Sequence, residues 1–168
     1  MPGRTSDTLK VGDPAPDFTL PGPDGRPVTR TLFQGTDSLL LHFFRGTWCM
    51  NCRKQMRQLR FDHAEFAAMG VTLLGVAVEK QQRLARWLEE NPHPCPVLAD
   101  EAREQARAWG VYQPFGIDGY RIARPATFFI TPDQVIRYIY VGDNQFDRPG
   151  SEQLKAAVRE GLKRARTA

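Results

Sequence analysis

Length, composition and charge indicate an ordinary globular chain. Of the 168 residues, 41% are hydrophobic and 25% are charged, values near the averages of folded domains and far from those of disordered or collagen-like chains. We therefore expect a single domain spanning residues 1–168. The net charge of +4 comes from scattered basic residues with no long cationic run, so we expect no nucleic-acid partner.

No segment predicts a membrane anchor or a secretion signal. No apolar stretch approaches the ~20 residues of a membrane span, and the first ten residues are polar. We expect a soluble, cytoplasmic protein without a membrane partner. In that reducing compartment the three cysteines, Cys49, Cys52 and Cys95, are not expected to form structural disulfides, and a C-x-x-C pair is more typical of redox or metal chemistry.

The first quarter of the chain predicts a small hairpin and then a central strand. Residues 18–20 and 27–30 flank Pro23-Asp24-Gly25, a turn signal, which together favour a β-hairpin. Residues 38–44 form an apolar run bounded by glycines, as expected for a strand that is buried on both faces.

Helices and strands alternate in the middle of the chain. The predicted elements are a helix at about 51–69, a strand at 71–78, a helix at 80–91, a short strand at 95–99 and a helix at 101–109. The side chains predicted to face inward are Met56, Leu59, Phe66 and Ala67 in the first helix, Leu84, Trp87 and Leu88 in the second, and Ala102, Ala106 and Trp109 in the third. This alternation is typical of an α/β protein.

The last third predicts an antiparallel hairpin and a closing helix. Residues 127–130 and 135–141 lie on either side of Thr131-Pro132-Asp133, which favours a β-turn. Residues 151–166 have helical periodicity, with Ser151 as the expected N-cap. Antiparallel strands added to the strands of the α/β region predict a mixed sheet.

Two cysteines lie where the predicted central strand meets the first long helix, in Gly46-Thr47-Trp48-Cys49-Met50-Asn51-Cys52. Residues three apart share a face of a helix, so the two thiols can come within disulfide reach. The helix N-terminus favours a thiolate, and C-x-x-C pKa values lie at about 3.5–7.5. Positive charge is added by Arg45, Arg53, Lys54 and Arg57. The pattern predicts thiol redox chemistry.

Two other uses of the pair stay open on the sequence alone. The thiols could pack as small hydrophobic groups, or they could form half of a metal site. A zinc site would have to recruit Cys95 and one of His42, His63 or His93, because there is no second C-x-x-C. That spacing matches no closed four-ligand pattern, so we expect no metal and no other cofactor.

Further segments occur in an order known from one family. They are the lead-in at 11–18, the hairpin at 23–28, the strand end and motif at 43–49, and the segments at 96–100, 109–111 and 124–130. With the Trp-Cys-x-x-Cys motif, this set resembles the thioredoxin-like superfamily and, within it, the peroxiredoxins of the alkyl hydroperoxide reductase/thiol-specific antioxidant group. The resemblance covers about residues 9–165. It implies a thioredoxin-like fold with a central mixed β-sheet flanked by helices and an N-terminal β-hairpin extension.

The chain departs from the usual peroxiredoxin pattern at the reactive centre. That pattern, Pro-x-x-x-Thr-x-x-Cys, would place Arg45 at the proline, Cys49 at the threonine and Cys52 at the peroxidatic cysteine. The motif is instead similar to a peroxiredoxin-like branch with Arg-Gly-x-Trp-Cys-x-x-Cys. Matching to the family pattern favours Cys52 as the attacking thiol, whereas the position ahead of the helix, with open access, favours Cys49. We take Cys49 as the nucleophile and Cys52 as the resolving thiol.

The resemblance implies further site residues. Pro125 occupies the position of the cis-proline that lies against the active-site cysteines in thioredoxin-like proteins. Arg124, or alternatively Arg121, is a candidate for the arginine that stabilises thiolate and peroxide in peroxiredoxins. Trp48 is expected to cover the thiol pair, and Thr47 belongs to the same motif. Three further candidates are expected to have structural roles. His42 and Cys95 are expected in the core, with a resolving thiol as the alternative for Cys95. Glu79 is expected to be a surface carboxylate, with a proton relay as its alternative.

The function implied is a thiol-dependent peroxidase that reduces hydrogen peroxide and alkyl hydroperoxides through an intramolecular Cys49–Cys52 disulfide. A thioredoxin- or glutaredoxin-like protein would then reduce the disulfide, and a homodimer is a candidate assembly. One alternative is a thiol–disulfide oxidoreductase that uses the same cysteines. The other is a copper- or zinc-binding protein of the same fold.

Overall fold

The computed structural model describes residues 6–33, 37–116 and 119–167. The strands are β1 (Thr19–Pro21), β2 (Pro27–Thr29), β3 (Ser38–Phe44), β4 (Val71–Ala77), β5 (Val97–Ala99), β6 (Tyr112–Gly116), β7 (Gly119–Ala123), β8 (Ala126–Ile130) and β9 (Ile136–Val141). The helices are α1 (Met50–Ala68), α2 (Gln81–Glu90), α3 (Glu104–Ala108) and α4 (Ser151–Thr167), and a 3₁₀ turn covers Arg30–Phe33. Within these ranges no helix is both long enough and apolar enough to cross a lipid bilayer.

The centre of the fold is a five-stranded mixed sheet in the order β5-β4-β3-β8-β9. β3 pairs in parallel with β4, and β4 with β5, whereas β8 runs antiparallel to both β3 and β9. All seven residues of β3 are buried, because this strand has a partner on each side and a helical layer over its face. The predicted mixed sheet and the predicted central strand are confirmed, as is the N-terminal hairpin of β1 and β2.

Hydrophobic side chains form one core on each side of the sheet. On one side α1, α2 and α4 contribute Met56, Leu84 and Val158. On the other side Ala106 and Trp109 lie against the sheet with residues from the N-terminal hairpin. The loop from β3 to α1 therefore begins at the fully buried central strand and ends in the first turn of α1, which packs against the sheet. Both ends of the loop are fixed by the hydrophobic core.

Several predicted details are wrong. The strands β6 and β7 form a separate antiparallel hairpin that the sequence pattern did not indicate, because Pro114 interrupts it and most of β6 is half-buried or exposed. Helix α3 is shorter than predicted, since Arg103 takes a left-handed conformation, and Ala102 is exposed. Ala67 is also exposed, and Ser151 lies inside α4 rather than capping it.

A buried ion pair fixes α4 against α1. The Lys155 ammonium lies 3.2 Å from the Asp62 carboxylate of α1, and both side chains are less than a tenth exposed. Glu65 and Glu152 also accept hydrogen bonds from the same ammonium. This contact brings the loop at 142–150, which precedes α4, against the first turns of α1.

Candidate active site

The loop at the end of β3 holds its shape through a glycine and a carboxylate. Gly46 has a φ of +151°, and a Cβ there would collide with the indole ring of Trp48, so only glycine fits. Thr47 donates hydrogen bonds from its backbone N–H and its Oγ1 to the Glu79 carboxylate, at 2.7 and 2.9 Å. Glu79 is buried, so its predicted place as a surface carboxylate is wrong. It clamps the loop at the end of β4 instead.

Cys49 is the N-cap of α1 and Cys52 lies one turn along. The backbone at Cys49 is extended, and its Sγ accepts the N–H of Cys52 at 3.4 Å. Both thiols are free. Cys49 is 3% exposed and Cys52 is 0% exposed, so the predicted open access to Cys49 is wrong. An N-cap side chain folds back over the first turn to satisfy its amides, and this orientation turns the sulfur inward.

Two guanidinium groups contact the sulfurs. Arg45 Nη1 lies 3.9 Å from Cys49 Sγ, and its guanidinium is covered by the Trp48 ring, whose centroid lies 5.0 Å away. Arg148 Nη2 lies 3.1 Å from Cys52 Sγ and 3.9 Å from Cys49 Sγ. The sequence indicated the charge of Arg45 but gave no sign of Arg148. Arg53, Lys54 and Arg57, which were expected to add charge, are exposed on α1.

Arg148 reaches the thiols because its loop is anchored at several points. Its Nη1 donates to the buried Gln55 of α1, and its Nε donates to the Gln145 carbonyl at 2.8 Å. The start of the loop is held where the Gly142 N–H donates to the Pro125 carbonyl at 2.8 Å. Residue 142 must be glycine, since a Cβ would collide with the Asp147 carbonyl. The guanidinium is thus held in place before any substrate arrives.

The two thiols share one proton, and the negative charge falls on Cys49. The Cys49 pKa is lowered to about 5, chiefly by the hydrogen bond from the Cys52 thiol. The Cys52 N–H, Arg148 and Arg45 also lower it, against the opposing effect of burial. The Cys52 pKa is raised because this thiol donates to Cys49 and is itself buried. At neutral pH the site therefore presents a Cys49 thiolate beside a Cys52 thiol.

This charge distribution predicts the pH dependence of Cys49 reactivity. Alkylation of Cys49 by iodoacetamide should rise with pH, be half-maximal near pH 5, and level off well below neutrality, because only the thiolate reacts. The measurement is the labelling rate of the Cys49 peptide, followed by mass spectrometry. Labelling of the Cys95 peptide is the internal control, since burial raises its pKa to about 11. A Cys49 midpoint close to the ordinary cysteine value would contradict the prediction.

Arg124 has partners other than the thiols, and Pro125 lacks the cis geometry that the resemblance implied. The Arg124 guanidinium donates to the Gly110 carbonyl at 3.0 Å and pairs with the Asp7 carboxylate at 2.8 Å. The bond before Pro125 is trans, and no cis peptide occurs among the described residues, so the expected cis geometry is wrong. Trans is the intrinsically favoured form of an X–Pro bond. Pro125 is buried and anchors the Arg148 loop through its carbonyl.

The other candidates are core residues. His42 shares a 2.6 Å hydrogen bond with Thr127 Oγ1, and burial lowers its pKa to about 3, so it is a neutral core histidine, as predicted. Cys95 is buried, and its N–H donates to His93 Nδ1 at 3.2 Å. Over residues 6–33, 37–116 and 119–167, no group of three or more His, Cys, Asp or Glu side chains is placed to hold a metal ion.

Comparisons with known proteins identify the family. The AhpC/TSA family model matches residues 11–139. The peroxiredoxin Bcp of Escherichia coli K12 is 31% identical over 134 residues, covering 79% of this chain and 85% of that protein. In fold, the chain resembles the crystal structure of the peroxidoxin BcpB of Mycobacterium tuberculosis, with a TM-score of 0.77, 22% identity, and coverage of 92% of this chain and 97% of that one.

A third similarity is to an exchange protein. The putative thiol:disulfide interchange protein DsbE of Chlorobium tepidum is 27% identical, with a TM-score of 0.70, and the match covers 90% of this chain and 99% of that one. A family model that matches most of the chain, a relative above 30% identity and a thioredoxin-like fold agree with one another. The chain therefore belongs to the AhpC/TSA family and is a thiol peroxidase of the peroxiredoxin class.

Proposed function

We propose that the chain reduces hydrogen peroxide and alkyl hydroperoxides with Cys49 as the attacking thiolate and Cys52 as the resolving thiol. The observation that carries the proposal is the pair of buried, free thiols that share one proton beside Arg45 and Arg148. A thiolate is the nucleophile in thiol chemistry. The lowered pKa of Cys49 supports this residue as the nucleophile.

The first step forms a sulfur–oxygen bond and breaks the peroxide bond. The Cys49 thiolate attacks the distal oxygen of the hydroperoxide, and water or an alcohol leaves after taking up one proton. Arg45 and Arg148 lie where negative charge moves from sulfur to the leaving oxygen, and they stabilise it there. In this proposal Thr47 holds the loop through Glu79, and Trp48 acts by covering Arg45, whereas its expected contact with the thiol pair stays a prediction.

The second step closes the disulfide. Cys52 attacks the Cys49 sulfenic acid, and water leaves with the Cys52 proton. The Cys52 backbone N–H already donates a hydrogen bond to Cys49 Sγ at 3.4 Å. The two residues are therefore in contact before the reaction begins. A dithiol protein of the thioredoxin or glutaredoxin type then returns two electrons and two protons. The proposal includes a cytoplasmic location, where such proteins are kept reduced, and the homodimer stays a prediction.

Thiol–disulfide exchange is the second candidate function. The similarity to the interchange protein of Chlorobium tepidum favours it, as does a low thiol pKa in a C-x-x-C motif. An exchange protein would use the same Cys49–Cys52 pair on protein disulfides without needing peroxide. The two functions differ in what oxidises the pair.

Oxidation of the reduced wild-type protein by one equivalent of hydrogen peroxide separates the two functions. We expect two of the three thiols to disappear within seconds to minutes, and peptide mapping to find a Cys49–Cys52 disulfide, because Cys49 is already a thiolate. Thiol counting with Ellman's reagent after rapid quenching measures the loss. An oxidised insulin-type disulfide substrate serves as the comparison. If the insulin-type disulfide oxidised the two thiols but peroxide left them reduced over the same period, the function would be thiol–disulfide exchange and not peroxide reduction.

A further inference from the structure

Three adjoining concavities lie beside the loop that carries Trp48 and Met50, and nine of the residues that line them are cationic. The first, of about 450 Å³, lies along α1 and α2, the second, of about 330 Å³, lies beneath Trp48 and α2, and the third, of about 350 Å³, lies between Trp48 and β7. The first two share Arg53 and Trp87, and the last two share Trp48 and Arg83. They form one continuous surface.

We call this surface the basic face and define it by the eight cationic residues that line it besides the buried Arg45: Arg53, Arg57, Arg60, Lys80, Arg83, Arg86, Arg103 and Arg121. Its two carboxylates are Glu79, which is bound to Thr47, and Glu90. With Arg45, nine of the 23 basic residues and two of the 19 acidic residues of the chain line the three concavities. Their formal charge is +7, and the rest of the chain has −3.

Among the residues that the structure describes, these eight cations have no carboxylate partners. So many unpaired like charges on one face repel one another and create a positive potential over the site. A negatively charged partner lowers that repulsion when it binds.

Exposed apolar side chains give the basic face the composition of a protein interface. Trp48 is 49% exposed, Met50 is 72% exposed and Tyr120 is 64% exposed; Met50 lines the first concavity, and Trp48 and Tyr120 line the third. Aromatic residues, methionine and arginine are the types enriched where proteins bind each other. Trp48 and Met50 flank Cys49 in the chain, so a protein bound here contacts both neighbours of the reactive residue.

We infer that the basic face docks the reductant of the Cys49–Cys52 disulfide, and that this reductant is a dithiol protein with an acidic surface around its cysteines. The inference rests on the proposed function. The chemistry is a thiol–disulfide exchange: a partner thiolate attacks one sulfur of the disulfide, the partner's second thiol breaks the mixed disulfide, and two electrons and two protons pass to Cys49 and Cys52. Because Cys49 is only 3% exposed, the partner needs close contact with the residues around it.

The test compares an acidic thioredoxin with dithiothreitol, a small neutral dithiol, as reductants of the peroxide-oxidised protein. The variant Arg83→Glu/Arg86→Glu reverses two exposed charges of α2 that have no hydrogen bond to the thiol site. We expect it to slow reduction by the acidic thioredoxin by about tenfold or more at low ionic strength and to leave reduction by dithiothreitol unchanged. Wild-type reduction by the thioredoxin should also slow as salt is added.

The matched control is Arg159→Glu/Lys163→Glu, which reverses two exposed charges of α4 that line none of the three concavities. It should retain the wild-type rate with both reductants. An equal loss of rate in the control, an unchanged rate in the α2 variant, or a failure of the acidic thioredoxin to reduce a disulfide that dithiothreitol reduces would each overturn the inference. Failure of the proposed function is seen separately, since peroxide would then form no Cys49–Cys52 disulfide in any variant.

Discussion

Replacing Cys49 by serine should abolish peroxide reduction, with a fall in rate of at least about a thousandfold. A serine hydroxyl cannot supply the anion that Cys49 supplies at neutral pH, since the Cys49 pKa is lowered to about 5. Replacing Cys52 by serine should have a different result. Serine still donates a hydrogen bond to Cys49, so the first step should proceed and Cys49 should accumulate as sulfenic acid or its further oxidation products.

Mass spectrometry of the intact variants after peroxide treatment distinguishes these outcomes, with dimedone used to trap the sulfenic acid. Cys95→Ser is the control, because this buried thiol has a raised pKa and lies outside the pair, and it should form the disulfide as the wild type does. If sulfenic acid instead collected on Cys52 in Cys49→Ser, the roles of the two thiols would be reversed. Cys52 is the position that matches the peroxidatic cysteine of the usual family pattern.

Replacing Arg148 by methionine should lower the rate of reaction with peroxide by roughly tenfold to a hundredfold, as removal of one fixed donor does in other active sites. The change removes a cation 3.1 Å from Cys52 Sγ and 3.9 Å from Cys49 Sγ. Methionine keeps a long side chain and loses the charge. It should also raise the Cys49 pKa, because Arg148 is one of the groups that lower it. Stopped-flow oxidation as a function of pH measures both effects.

The same substitution at Arg124 distinguishes the role of this arginine from that of Arg148. Its guanidinium is bound to Gly110 and Asp7, so Arg124→Met should leave the Cys49 pKa unchanged and alter the peroxide rate by less than about twofold. An equal loss of rate at both positions, with the upward pKa shift in both variants, would support the catalytic role that the resemblance implied for Arg124. An unchanged rate in Arg148→Met would remove Arg148 from the mechanism.

The parts of the site that are local in sequence could be predicted, and those that depend on tertiary packing could not. An apolar strand followed by Cys-x-x-Cys at a helix start places both thiols and the charge of Arg45 within eight residues. Arg148 is 96 residues from Cys52, and nothing around it distinguishes it from other loop arginines. Its position depends on the Lys155–Asp62 pair and on the register of β8 with β9. The β8–β9 hairpin could be predicted from its turn, but the Lys155–Asp62 pair has no signature in the sequence.

The fold shows the same division. Buried strands such as β3 and β4 were predicted with nearly their observed bounds, because a short, continuous apolar run next to a glycine is typical of a buried strand. The β6–β7 hairpin was missed, since exposed pairs such as Phe115 with Tyr120 leave no alternation between polar and apolar residues. The inward face of α1 was partly misjudged at Ala67, because alanine fits either side of a helix.

The distance in sequence between Cys52 and Arg148 has a consequence during synthesis on the ribosome. A nascent chain that has emerged only through β9 already contains both cysteines but lacks the loop and helix that bring the guanidinium to them. The nascent thiols therefore lack one of the charges that lower the Cys49 pKa until residues 142–167 have docked. Arg148 thus contributes to the reactivity of Cys49 only after that segment has folded.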